Sequence, residues 1–351
     1  MSATTTSRPS TTLEAVTRGR RRRQRSRLIA TGALLLSVLV LFAIALMVGD
    51  RLFSPGEVVR VVLGESVPGA SFTVGELRFP RATLSLLAGA AFGLGGVTFQ
   101  TMLRNPLASP DIIGITAGAS AAAAIAIVYF QADDVVVSVV AVLASLATAL
   151  LIYVLAYVDG MAGTRLILIG IGIAAILKAV VSYALASAAA WDLQTAMRWL
   201  TGSVNGATWE GVAPLAVALL VIAPILLGHG RSLRLLQQGD DAAAALGVDV
   251  ERTRLVAILS AVGLIAFATA AAGPVAFVAF LAGPIAAGIV RAGGSLMVPA
   301  ALVGSLLVLG ADMFGQFAFD TRYPVGVITG VLGAPYLVYL LIRTNRSGGS
   351  L

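Results

Sequence analysis

Long apolar runs constrain this chain more than any other feature of its sequence. Ten of them, rich in Ala, Val, Leu, Ile and Gly, are separated by charged or Pro/Gly-rich breaks. A helix needs about 20 apolar residues to cross the hydrocarbon core of a bilayer. Only 12% of the residues are charged, whereas a soluble domain carries about a quarter. The sequence therefore predicts an all-α membrane protein with about ten transmembrane helices.

The breaks between the runs set the predicted boundaries. The ten spans are 28–48, 82–103, 112–130, 135–158, 166–190, 211–228, 255–273, 275–290, 298–319 and 324–342. The eighth is short and rich in Gly and Pro, so we expect it to be bent or to cross only part of the bilayer. The chain then divides into a basic tail (1–27), a transmembrane domain (28–343) and a C-terminal tail (344–351).

Arginines fall unevenly on the two sides of this topology. With the N-terminus inside, the cytoplasmic segments carry 17 arginines and the outer segments six; without the N-terminal tail the ratio is nine to six. Because cytoplasmic loops are enriched in positive charge, both termini are predicted to be cytoplasmic. The basic tail is interpreted as the anchor of the first span rather than a nucleic-acid-binding segment, since an apolar run begins directly at Leu28. No small-residue cleavage site follows, which argues against a signal peptide.

Residue types needed for catalysis are scarce. The chain has no cysteine and one histidine, His229, which leaves no catalytic triad and no imidazole metal site. The glycine-rich stretch Gly93 to Gly96 lies within a span. The only lysine, Lys178, is followed by Ala179, not by the Ser or Thr of a nucleotide-binding loop. We therefore predict that the chain is not an enzyme and holds no metal or cofactor.

Pairs of glycines four residues apart recur within the spans. They are Gly89/Gly93, Gly114/Gly118 and Gly326/Gly330. Small residues at this spacing let helix backbones approach closely in a membrane, where no hydrophobic effect drives helix association. We expect these positions to be helix–helix contacts.

A longer pattern begins at the arginines before the second span. It consists of R-F-P-R (78–81), AGAAFGLGGVTFQTMLRNPLASPDIIGITAGAS (88–120), RWLTGSVNGATW (198–209), QGDDAAAALGVDVERTR (238–254), GPVAFVAFLAGPIA (273–286) and YPVGVITGVLGAPYLVYLLIR (323–343). Over about residues 30–343 the chain resembles the FecCD-type permeases of iron-siderophore, haem and cobalamin ABC importers.

The resemblance implies an architecture and a set of partners. The fold would contain two four-helix units, 82–190 and 255–342, that begin on opposite sides and are therefore inverted, plus two further helices. The partners would be a second permease subunit (a copy or a paralogue), two cytoplasmic ATPases that bind ATP-Mg, and an extracytoplasmic siderophore-binding protein. The assembly would lie in a bacterial inner membrane.

The resemblance to ferric-siderophore members favours a ferric siderophore as the cargo. Haem or cobalamin is the alternative within the class. A proton-coupled secondary transporter is the alternative from another class. That transporter would need buried carboxylates in its spans, and only Asp312 clearly meets this condition.

The cytoplasmic loop 229–254 is predicted to dock the ATPase. Its Ala-rich part from Asp241 to Leu246 is typical of a short helix, with Gly247 as a left-handed C-cap and Asp249 as the N-cap of the next helix. A plain solvated connector is the alternative. The predicted coupling residues are Gly239, Asp240, Asp241, Leu246, Gly247 and Asp249.

Three further sites are predicted. The resemblance places an inner gate at Gly163 and Thr164 in the loop 159–165, for which a flexible loop is the alternative. Arg78, Arg81 and Arg322 are predicted to dock the binding protein, although arginines before a span also serve as interfacial anchors. Arg322 is interpreted as a replacement for the arginine that family members often carry near Gln316.

Lys178 is singled out by its position alone, about midway along the fifth span. An ammonium at this depth costs several kcal/mol in lipid, so it should face protein or water. It either lines the translocation pathway, where it would attract anionic cargo, or forms a structural pair with Asp312 or with backbone carbonyls.

Overall fold

The computed structural model describes residues 9–157, 163–290 and 294–346, and the regular elements in these ranges are helices. A π-helix, Ser71–Arg78, leads into the third α-helix. The α-helices in chain order are α1 (Pro9–Met47), α2 (Pro55–Val62), α3 (Phe79–Met102), α4 (Pro110–Ile113), α5 (Ile115–Phe130), α6 (Asp134–Ala156), α7 (Gly163–Ala186), α8 (Ala190–Thr201), α9 (Trp209–Gly228), α10 (Gly230–Leu236), α11 (Asp240–Ala245), α12 (Val250–Ala272), α13 (Val278–Val290), α14 (Met297–Phe317) and α15 (Val325–Arg346).

Ten of these helices correspond to the ten predicted spans. In the described ranges eight are long and apolar enough to cross a membrane, and α5 and α13 are shorter apolar helices. The eighth span was expected to be short or bent, and α13 has 13 residues with Pro284 inside it. The prediction of an all-α membrane fold with about ten transmembrane helices is confirmed.

The third predicted span, 112–130, is wrong at its start. Ser109 caps a separate one-turn helix, α4, whose first residue is Pro110. Gly114 then adopts φ 92°, which ends α4 and begins α5. A left-handed residue cannot continue a helix, so the span is the 16-residue α5, about 24 Å long. The short helices α2, α8 and α10 and the π-helix were also not predicted.

α3 lies at the centre of the packed core. It is buried along most of its length and packs against α14, α12 and α13. Gly89 and Gly93 face the backbone of Gly304 and Ala300 on α14, and a Cβ atom at either glycine would overlap that backbone. The prediction for this glycine pair is confirmed, because α3 and α14 touch backbone to backbone.

The other two glycine pairs differ. A Cβ atom on Gly118 would overlap Thr148 of α6, as expected for a helix–helix contact. Gly326 instead meets the carbonyl oxygen of Thr201 at the end of α8, and Gly330 has open space around it. Within the single chain this pair therefore does not form one helix–helix face, since Gly326 approaches the last residue of α8 and the loop that follows it.

Helix directions follow from the contacts of α3. Gly89 lies beside Gly304 and Gly93 beside Ala300, so α3 and α14 run antiparallel. Residues from the end of α3 and the start of α12 meet the same carboxylate, Asp240, so these two helices are antiparallel as well. Both relations agree with the predicted alternation of spans. The side that faces the cytoplasm stays a prediction.

Candidate functional site

A cavity of about 550 Å³ opens where α1 ends, α3 begins and α14 ends. We call it the arginine cavity, and its charged lining consists of Asp50, Arg51, Arg78, Arg81, Asp312 and Arg322. The three predicted docking arginines thus lie at one site, although 244 positions separate Arg78 from Arg322 (322 − 78). Asn205 and Gly206, from the loop after α8, complete one wall. The cavity lies at the end of the bundle that is predicted to be extracytoplasmic.

Arg81 and Asp312 form a bidentate ion pair between α3 and α14. Arg81 Nη2 lies 2.7 Å from Asp312 Oδ1, and Arg81 Nε lies 3.0 Å from Oδ2. The two side chains are only 17% and 8% exposed. Gln316 also donates to Asp312, at 3.3 Å. Because a fork of this kind fixes both partners geometrically, Arg81 ties the first turn of α3 to α14.

Arg78 holds the end of α1. Its guanidinium donates to the carbonyl oxygens of Leu46, Met47 and Arg51 at 3.1, 2.9 and 2.7 Å. A cation at a helix C-terminus satisfies carbonyls that lack a partner within the helix and interacts favourably with the helix dipole. The guanidinium carbon also lies 5.1 Å from the centre of the Phe53 ring, a cation–π distance.

Arg322 is the most accessible of the three predicted docking arginines. It pairs with Asp50 at 2.8 Å, but the two side chains are 59% and 84% exposed. An ion pair this exposed contributes little stability, so Arg322 can exchange Asp50 for another carboxylate. The docking role of all three arginines stays a prediction. The contacts give Arg78 and Arg81 structural partners and leave Arg322 with the accessible charge.

At the opposite end of α3 lies the predicted coupling segment, Gly239 to Asp249. α11 starts at Asp240, one residue before the predicted Asp241, and Leu246 is its C-cap. Gly247 has φ 81°, and its N–H donates to the carbonyl of Ala244. The next N–H, of Val248, reaches Ala243, which completes a Schellman motif. The predicted left-handed cap is therefore confirmed.

The two ends of this segment are defined by local chemistry as well. Asp249 caps α12, because its side chain accepts a hydrogen bond from the N–H of Arg252 at 3.0 Å. Gly239 precedes α11 with φ 116°, a conformation that a residue with a Cβ atom adopts only under strain. The predicted local structure is confirmed at Gly247 and Asp249, while the docking of an ATPase stays a prediction.

Asp240 joins α11 to the core of the bundle. Its Oδ1 forms an ion pair with Arg104, which follows α3, and its Oδ2 lies 2.7 Å from Arg254 Nη2 on α12. We call these three residues the Asp240 cluster. Sequence reasoning found Asp240 but missed Arg104 and Arg254, whose only signal was their place at predicted cytoplasmic helix ends. α3 is about 36 Å long and connects this cluster to the arginine cavity.

The predicted inner gate is only partly described. Residues 159–162 of its loop lie outside the described residues, Gly163 is the first residue of α7, and Thr164 is exposed. Before the loop, Tyr157 donates a hydrogen bond to Glu251 Oε1 at 3.1 Å, and this contact raises the pKa of the tyrosine. Glu251 lies in the first turn of α12. This link between the loop and the coupling segment was not predicted.

Lys178 is exposed on α7. Its predicted structural partner, Asp312, is instead bound by Arg81, so that pairing is wrong. The charge of Lys178 reaches the carboxylate of Asp111 on α4, although these two side chains form no ion pair among the described residues. α4 packs against α7 near Ala174, one turn before Lys178. Asp111 also accepts a hydrogen bond from the Thr116 hydroxyl at 3.1 Å.

Comparison with known proteins places this geometry in a family. The profile of the FecCD transport family matches residues 35–343. This chain belongs to the FecCD transport family. The FecCD profile covers both the arginine cavity and the Asp240 cluster but begins within the apolar part of α1. The basic part of α1 lies outside it.

Two FecCD relatives and one solved structure are similar to this chain over nearly its whole length. The ferric enterobactin transport system permease protein FepG of Escherichia coli (strain K12) is 41% identical over 91% of this chain and 98% of FepG. The achromobactin transport system permease protein CbrC of Dickeya dadantii (strain 3937) is 38% identical over 89% and 90%. An inward-facing metal-chelate-type ABC transporter matches with a TM-score of 0.80 at 27% identity, covering 89% of this chain and 98% of that chain.

Proposed function

We propose that this chain is the permease subunit of an ABC importer that passes a ferric siderophore into the bacterial cytoplasm. The observation that carries the proposal is the 41% identity to a ferric enterobactin permease over nearly the full length of both chains. The identity spans α3 and both sites at its ends, so the similarity includes the parts through which an importer would be loaded and driven.

The architecture supports different roles for the sites at the two ends of α3. The arginine cavity would face outward and receive an extracytoplasmic binding protein, with Arg322 as its accessible cation. The segment from Gly239 to Asp249 would face the cytoplasm and dock one of two ATPases, each of which would bind ATP-Mg. A second permease subunit, a copy or a paralogue, would complete the pathway. Both termini would lie in the cytoplasm.

Force at the coupling segment would reach the core through the Asp240 cluster. Asp240 lies in the first turn of α11, and its two arginine partners belong to the end of α3 and the start of α12. A displacement of α11 would therefore act on both helices at once. α3 is packed backbone to backbone against α14, and tight packing transmits displacement rather than absorbing it.

The pairing of Asp312 argues against a proton-coupled transporter. A carboxylate that carries protons across a membrane must bind and release them during the cycle. Asp312 is held by the bidentate Arg81 and by Gln316, and losing its charge would leave the Arg81 guanidinium without a counter-ion. Haem or cobalamin cargo is not favoured by the two relatives described above, whose names state ferric enterobactin and achromobactin.

Transport by the reconstituted complex tests the proposal. The permease, its ATPase and its binding protein are placed in proteoliposomes, and uptake of ⁵⁵Fe-labelled ferric enterobactin is measured with ATP or ADP. We expect ATP-dependent uptake that persists with a proton ionophore and is absent for cobalamin. Uptake driven by a proton gradient without ATP would contradict the ABC mechanism, and ATP-dependent uptake of cobalamin alone would contradict the cargo.

A further inference from the structure

The cytoplasmic part of α1 carries a dense cluster of positive charge that the importer function does not use. Seven arginines lie between residues 18 and 27, and residues 16–27 contain no acidic residue. The profile of the family begins only at residue 35. This segment therefore lies outside the part of the chain that the family profile describes.

The position of these arginines relative to the bilayer follows from the continuity of α1. The helix runs without a break from Pro9 to Met47. Its apolar part, Leu28 to Met47, covers about 30 Å, the thickness of the hydrocarbon core. Arg27, Arg25 and Arg23 then lie within about 8 Å of the hydrocarbon edge, at the depth of the lipid headgroups. Because the helix continues through these residues without a flexible linker, the arginines stay in the headgroup layer.

The arginines surround the helix rather than forming one stripe. Arg20, Arg21, Arg22 and Arg23 follow one another at about 100° per residue, so together they cover nearly the whole circumference. All four are exposed. A single protein surface or nucleic-acid groove would contact one side of such a helix, whereas headgroups can approach from every side that faces the membrane.

Four arginines of the cluster have no acidic partner among the described residues. Within the described ranges, no carboxylate forms an ion pair with any of Arg20, Arg21, Arg22 or Arg25. Arg27 donates to the carbonyl of Ser295, which fixes the helix beside the start of α14. The charge of another cation, Arg234, also acts on Arg27. The neighbouring protein surface thus adds positive charge at this depth.

We propose that residues 18–27 form a binding site for anionic phospholipid headgroups in the cytoplasmic leaflet. The site would recognise phosphate charge through several guanidinium groups at headgroup depth. A preference of about fivefold for an anionic over a zwitterionic lipid corresponds to one arginine near a membrane surface. The proposal does not depend on the cargo or on the importer mechanism.

Lipid enrichment at the helix can be measured in the full-length protein. Because the chain has no cysteine, Gln24→Cys provides a single site for a fluorophore inside the cluster. The labelled permease is reconstituted in phosphatidylcholine vesicles that contain a small fraction of spin-labelled phosphatidylglycerol or spin-labelled phosphatidylcholine. The ratio of quenching by the two spin-labelled lipids reports the local enrichment. Gln131→Cys, beside Asp133 and Asp134, is the matched control.

At residue 24 we expect quenching by spin-labelled phosphatidylglycerol to exceed quenching by spin-labelled phosphatidylcholine about fivefold. At residue 131 this ratio should be about one or below. The ratio at residue 24 should fall to about one in 1 M salt, where the screening length is about 3 Å. Replacing Arg20 to Arg23 with Gln should lower the ratio, because four of the seven arginines are then neutral, whereas replacing them with Lys should preserve it, because the attraction depends on charge. The Lys variant keeps the positive charge that orients the first span.

Three results would overturn the proposal. One is a ratio of one at residue 24 in low salt. Another is an enrichment that the Gln variant retains in full or the Lys variant loses. The third is displacement of the anionic lipid by a duplex oligonucleotide at physiological salt, which would assign the cluster to nucleic acid instead.

Discussion

The Arg81–Asp312 pair offers a direct test of how α3 is fixed to α14. Replacing Arg81 with Met removes the guanidinium but keeps much of the side-chain volume. Asp312, whose side chain is 8% exposed in the unchanged protein, would then keep one donor, Gln316, at 3.3 Å. A buried carboxylate with one long hydrogen bond is poorly compensated for the loss of water.

The expected cost can be worked out from the contacts that are lost. Arg81 supplies two close hydrogen bonds, at 2.7 and 3.0 Å, and the only opposite charge that Asp312 pairs with in the described ranges. Removing one partner of a buried ion pair typically destabilises a protein by about 3–5 kcal/mol. Asp312→Asn should cost less, about 1–3 kcal/mol, because Arg81 is 17% exposed and reaches the arginine cavity.

Equilibrium unfolding in detergent micelles measures these differences. The double variant Arg81→Met/Asp312→Leu should recover most of the stability lost in Arg81→Met, since an apolar pair often replaces a buried ion pair without loss. The matched control is Arg60→Met, which breaks an exposed pair with Glu65 and should cost less than about 1 kcal/mol. Equal losses for Arg81→Met and Arg60→Met would refute the reasoning.

Three further changes test other parts of the structure. Gly93→Val should force α3 away from Ala300 and destabilise the bundle by more than about 3 kcal/mol, measured by the same unfolding assay; a well-folded variant would contradict the α3–α14 contact. Gly247→Val should strain a residue at φ 81° by about 1–3 kcal/mol and lower uptake per ATP hydrolysed in proteoliposomes, and unchanged coupling would contradict the proposed role of α11. Asp240→Asn should uncouple transport similarly with little loss of stability, because its pairs are partly exposed, and unchanged coupling would contradict the proposed role of the Asp240 cluster.

The features predicted correctly from the sequence depend on neighbouring residues. Gly247 and Asp249 occupy caps whose donors and acceptors lie within four residues, so their roles can be inferred from local pattern. The ten spans follow from runs of apolar residues in the same way. Helix ends were placed less accurately, and α4 was missed because Gly114 interrupts an apolar run without any change in polarity.

The features that were missed depend on residues far apart in the sequence. Arg81 and Asp312 are separated by 231 positions, and Arg104 and Asp240 by 136. A single sequence contains no signal that identifies which two charged residues form an ion pair when they are this far apart in the chain. The small residues Gly89 and Gly93 indicated a close contact, but only the structure identifies Gly304 and Ala300 as the other side.

The ion pair between Asp312 and Arg81 changes the double variant that should be tested for Lys178. Sequence reasoning offered Asp312 as its structural partner, and neutralising Asp312 would then rescue Lys178→Met. The structure places Asp312 with Arg81 and lets the charge of Lys178 act on Asp111. Any rescue of Lys178→Met should therefore come from Asp111→Asn, while Asp312→Asn should add its own loss independently.

The exposure of Lys178 leads to an experiment that separates a structural role from a role in the translocation pathway. It is exposed on α7, a helix whose apolar stretch is only 17% buried in the single chain. Since lipid disfavours an ammonium at this depth, the uncovered face of α7 should meet water or the second permease subunit. If it meets the pathway, Lys178→Met should preserve stability and ATPase coupling but slow the uptake of an anionic ferric chelate more than that of a neutral one. A loss of stability that Asp111→Asn rescues, with equal uptake of both chelates, would assign Lys178 to structure alone.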